Sequence, residues 1–78
     1  MASTEVVQQQ IVALQKGIAK QQERIENLQN VLLLLEKDVP EYEKIQDEIK
    51  LIEGNIKLLE AVVLQNEERL KRISLPPI

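Results

Sequence analysis

Apolar residues recur along this chain at alternating intervals of three and four, in two ladders separated by one short interruption. In the first ladder Thr4, Ile11, Ile18, Ile25 and Leu32 fall at heptad position a, and Val7, Leu14, Gln21, Leu28 and Leu35 at d. In the second, Tyr42, Ile49, Ile56, Val63 and Leu70 take a, and Ile45, Ile52, Leu59, Asn66 and Ile73 take d. Such spacing, held over successive heptads, gathers these residues on one stripe of a helix, the mark of a coiled coil. The f positions of the first ladder, Gln9, Lys16, Glu23, Asn30 and Lys37, are all polar, as a solvated back requires.

The interruption is Lys37-Asp38-Val39-Pro40-Glu41. Pro40 lacks an amide hydrogen and crowds the residue before it, which drives Val39 away from helical geometry. Asp38 followed three residues later by Glu41 matches a capping box, with Pro40 in the first turn, where a missing donor costs nothing. The two ladders are also out of step across this point, which a continuous coiled coil tolerates only as a stammer. A proline at the same place makes a reversal the better account. The pattern therefore predicts a first helix over about 4–37, a turn at 38–40, a second helix over about 41–73 and an extended tail at 74–78. Ser3 or Thr4 is the expected cap of the first helix.

Folded back at that turn, each a residue of one arm meets a d residue of the other in one consistent register. Leu35 faces Tyr42, Leu32 faces Ile45, Leu28 faces Ile49 and Ile25 faces Ile52. Gln21 faces Ile56, Ile18 faces Leu59, Leu14 faces Val63 and Ile11 faces Asn66. Val7 faces Leu70, and Thr4 closes the far end against Ile73. The e positions Gln8, Gln15, Gln22 and Gln29 then lie beside Glu67, Glu60, Glu53 and Gln46, so neutral amides border the acids. On the other flank Gly17 falls near Val62, a small residue against a branched one. The fold class expected is all-α: two long antiparallel helices forming a coiled-coil hairpin, a rod about 50 Å long at about 1.5 Å per residue.

Two helices in a coiled coil use only a and d, and this chain carries more. Leu51, Leu58 and Val62 form a second stripe on the second arm, around Gly54 and Asn55 and widened by Ala61 and Leu64. Val6, Val12, Ala13 and Ala19 add apolar surface on the first arm, while Val31, Leu33 and Leu34 make the turn end apolar nearly all round. An apolar stripe wider than the seam marks a helix packed on more than one side. Hairpins that associate into a four-helix or larger bundle are the expected consequence. Gln21 and Asn66 are amides at core-type positions, where a buried amide selects register or partner.

Composition removes several classes of function. The 78 residues contain no cysteine and no histidine, which takes away the usual ligands of zinc, copper, haem and iron–sulfur sites. No cofactor is implied. Nucleophile–base pairs lack their common members, and Ser3, Thr4 and Ser74 lie near the ends, so no enzyme is expected. Thirteen acidic against 10 basic residues give a net charge of -3, an ordinary balance that argues against a general nucleic-acid binder. Arg69, Lys71 and Arg72 suit the C-terminal end of a helix dipole and need no ligand. Residues Met1 to Glu5 lack the features of a signal peptide, and the longest apolar run, Val31 to Leu35, is too short to span a membrane. The expectation is an intracellular, soluble protein, cytoplasmic or nuclear, without a small-molecule substrate.

The function expected is therefore that of an assembly module. Its partners are copies of itself, other coiled-coil subunits, or both. The layout of a glutamine-rich helix, a turn and a helix ending in the prolines of Leu75-Pro76-Pro77-Ile78 resembles prefoldin subunits, although the β-hairpin segments of those subunits are missing. That resemblance implies a holdase chaperone, gripping non-native chains with the apolar end formed by Val31, Leu33, Leu34 and Leu35.

Overall fold

The structure, a computed structural model, describes residues 4–74. It contains two helices, α1 (Thr4–Leu34) and α2 (Pro40–Ser74), packed antiparallel along one another as a helical hairpin. The molecule measures 63 × 15 × 14 Å. Pro40 opens α2 where its fixed φ and missing donor suit the first helical position, and Glu41 and Glu43 complement the dipole there. Lys71 and Arg72 do the same for the last turn.

The connection differs from the expected one in extent and in its cap. Helix α1 stops at Leu34, short of Lys37, and the loop spans 35–39 instead of 38–40. The Leu35 N–H donates to the Leu32 carbonyl at 3.2 Å, closing the helix with a tighter turn. Next, the Val39 N–H donates to the Glu36 carbonyl at 3.3 Å, and the Tyr42 N–H to the Val39 carbonyl at 3.1 Å. Val39, not Asp38, thus stands at the N-cap of α2. The pairing of Asp38 with Glu41 as a capping box is one residue out of step and is corrected here. Pro40 is the cause: already suited to the first helical turn, it belongs to α2, so the reversal draws its residues from the end of α1. Among the described residues no residue has positive φ, so the reversal is made without a left-handed cap.

The seam between the helices is the core. Val7, Ile11, Ile49, Ile52, Ile56 and Val63 are buried. Leu14, Ile18, Ile25, Leu28, Leu32, Leu35, Tyr42, Ile45, Leu59 and Leu70 are half-buried, as a two-helix rod with water on both flanks must leave them. Val7, Ile11 and Val63 form one cluster with Leu14, Ile18 and Leu70 packed against it. It lies at the end that holds both chain termini. Burying each such side chain contributes about 1.5–3 kcal/mol, which is what holds so thin a molecule together. Ile73, placed at the seam by its spacing, is 39% exposed. Its layer partner is Thr4, at the first residue of α1, so nothing large covers it. Ser74 belongs to α2 rather than to an extended tail, and residues 75–78 lie outside the described range, as does Ser3.

Candidate interaction surfaces

Heptad geometry gives the rod two flanks and two outer backs, and the structure identifies each by its contacts. One flank joins the e positions. Gln15, Glu60 and Glu67 line an open groove floored by Ile18 and Val63, and Gln29, Gln46 and Glu53 line another with Leu32 and Ile49. These are the amide-and-acid neighbours that the register requires. The other flank joins the g positions, where the Arg24 guanidinium meets the Glu48 carboxylate at 2.6 Å. Arg24 is mostly solvated and Glu48 more than a third exposed, so the pair contributes at most about 1 kcal/mol.

The residues beyond the seam divide into three places. The first is the back of α2, opposite α1. Leu51 and Leu58 are 67% and 68% exposed there, with Gly54, Asn55 and Ala61 exposed beside them. Val62 and Leu64 border this stripe on either side and are also exposed. The second is the turn end, where Leu33 and Leu34 reach 83% and 86% exposure and Val31 is exposed beside them. Leu35 differs from its neighbours because it tucks into the seam and is half-buried. The third is a shallow concavity on α1, lined by Glu5, Gln8, Gln9, Val12, Ala13 and Lys16.

Gly17 and Gly54 behave alike. A methyl group added at either meets nothing within 4 Å. The proximity of Gly17 to Val62 therefore gives no packing reason for a glycine within the hairpin. In mid-helix each glycine costs about 0.5–1 kcal/mol relative to alanine.

Gln21 and Asn66, the amides at core-type positions, are half-buried. Among the described residues no polar or charged residue is buried, and no buried side-chain nitrogen or oxygen lacks a partner. Both amides thus reach water along the flanks. Their cost within one hairpin is small, and so is any selectivity they give it. Among the described residues no cluster of three or more acidic side chains is placed to hold a metal ion, and no helix is long and apolar enough to cross a membrane.

Fold and surface together define a two-helix antiparallel coiled coil with apolar surface outside its seam. Comparison with protein-family models, curated proteins and solved structures finds no match to this chain.

Proposed function

We propose that this protein is a non-enzymatic assembly module, a small coiled-coil subunit that presents helical faces to its own copies or to other helical subunits. The observation that carries this reading is the second apolar stripe on α2, exposed on the side that α1 does not cover. An isolated hairpin has no use for it. Contiguous apolar surface of this kind marks sites of protein association. Sedimentation equilibrium of the chain, together with co-purification from native extract, tests the reading. A defined oligomer or a stoichiometric helical partner is expected. A chain that is monomeric and recovers no partner would remove it.

The exposed turn end supports a second reading, a holdase that grips non-native polypeptides. Leu33 and Leu34 are the most exposed large apolar residues described and sit where no element covers them. The discriminating experiment compares the natural chain with Leu33→Lys/Leu34→Lys in suppressing aggregation of an unfolded client. Equal activity of the two ends this second reading.

A further inference from the structure

We infer that the back of α2 pairs with the same face of a second copy, antiparallel and about a two-fold axis level with Ile56. This rests on the assembly reading and names its partner and surface. Along the back of α2, Lys44, Asp47, Leu51, Gly54, Leu58, Ala61, Gln65 and Glu68 follow one another at intervals of three and four. The four central positions, Leu51, Gly54, Leu58 and Ala61, are apolar or small and the outer four are polar, and all eight residues are exposed in the hairpin.

A seam that pairs with its own copy has few registers. Two-fold symmetry makes every contact reciprocal, so choosing one pair fixes the others. One heptad shift sets Leu58 against Asp47 of the other copy, and the opposite shift sets Leu51 against Glu68. Only the register between them gives both leucines apolar or small neighbours: Leu58 of one copy over Gly54 of the other, and Leu51 over Ala61. The open space above Gly54 is then filled by a leucine side chain. This accounts for a glycine that the hairpin itself does not need.

Charge selects the same register. Lys44 meets Glu68 of the second copy within the seam. On one border Glu41 meets Arg69, by the offset that sets Gln15 beside Glu60 inside the hairpin. On the other, Glu43 lies nearest Lys71, by the spacing that sets Gly17 near Val62. Each pair occurs twice by symmetry; the like-charged exceptions are Lys57 against its own copy and, at the longer reach by which Arg24 meets Glu48, Lys50 against Lys57. A parallel, in-register arrangement would instead set each of these charges against its own copy, which is unfavourable.

In the resulting four-helix assembly the two α2 helices are central and the α1 helices flank them.

The chain has no cysteine, so single-cysteine variants report cleanly. A spin label at Asn55→Cys should lie close to its copy, because residue 55 faces itself across the axis. Labels at Glu68→Cys should lie about 36 Å apart along the rod in the antiparallel dimer, against near contact in a parallel one. Leu51→Gln/Leu58→Gln should sediment as a monomer with unchanged helicity. Gly54→Leu should weaken dimerisation at least about tenfold, since it fills the space that Leu58 of the other copy requires, while raising the helicity of the dilute hairpin. A monomeric natural chain overturns the inference; co-purification of a different helical subunit would then leave the assembly reading standing. A dimer insensitive to the paired glutamine substitutions, with distant labels at residue 55, also overturns it and moves the interface elsewhere.

Discussion

Helix α2 carries two apolar stripes on opposite sides, and they differ in nearly everything except spacing. The inward stripe has β-branched residues at its centre, where Ile49, Ile52 and Ile56 are buried, and half-buried residues on either side of them. The outward stripe alternates leucine with glycine or alanine and lies in water. Isoleucine packed against α1 stabilises the folded chain directly. Leucine spaced by small residues does nothing for a single hairpin and leaves room for side chains from outside. Periodicity marks both stripes as contact surfaces, and residue size separates the one that is filled from the one left open.

Substitutions on the two sides should therefore differ sharply, and the largest effect belongs inside. Ile52→Ala should cost about 2–5 kcal/mol in urea unfolding, because the seam is too thin to close over the cavity. At dilutions where the chain is dissociated, Leu51→Ala should change stability by less than about 0.5 kcal/mol. Equal losses at the two positions would erase the distinction between the stripes.

Smaller effects sharpen the same contrast. Val39→Thr supplies the N-cap acceptor that α2 lacks and keeps a methyl group in the half-buried site, so thermal unfolding should show a gain of about 1 kcal/mol. Gly17→Ala and Gly54→Ala should each stabilise the dissociated hairpin by about 0.5–1 kcal/mol, since a methyl meets nothing at either site. A loss at either position in dilute chain would mean that the space is not open. Gln21→Leu should raise the melting temperature and leave a single oligomeric species, because the amide is only half-buried. Mixed species in that variant would show that the amide selects the partner after all. Smallest of all, Arg24→Ala should cost less than about 0.5 kcal/mol, and less still at high salt.

Much of the seam was legible from spacing alone, because burial in a two-helix rod follows directly from position on the helix. Ile49 and Ile52 are buried for the same reason that they sit four and three residues from their neighbours. The end of α1 was not legible. Glu36 and Lys37 are good helix formers, and nothing local stops them; the helix ends at Leu34 because the reversal needs residues and Pro40 supplies none. The cap was missed by one position, since the box at Asp38 and Glu41 looks complete without knowing where the first helical bond forms. The open space above both glycines lay beyond sequence reasoning, which cannot see an empty volume. The Gln15 and Gln29 grooves, by contrast, follow from the e-position repeat once the register is known.

Val7 is the most deeply buried side chain of the seam, and with Ile11 and Val63 it forms a cluster at the end farthest from the bend. The open end is thus held where a bare pair of helices would fray, like a zip fitted with a catch. Amide exchange at Leu14 and Val63 should be no faster than near Leu32 and Ile45, whereas the first four amides of α1 lack helical acceptors and exchange quickly. Clipping the first dozen residues should release the whole hairpin although the bend is left untouched.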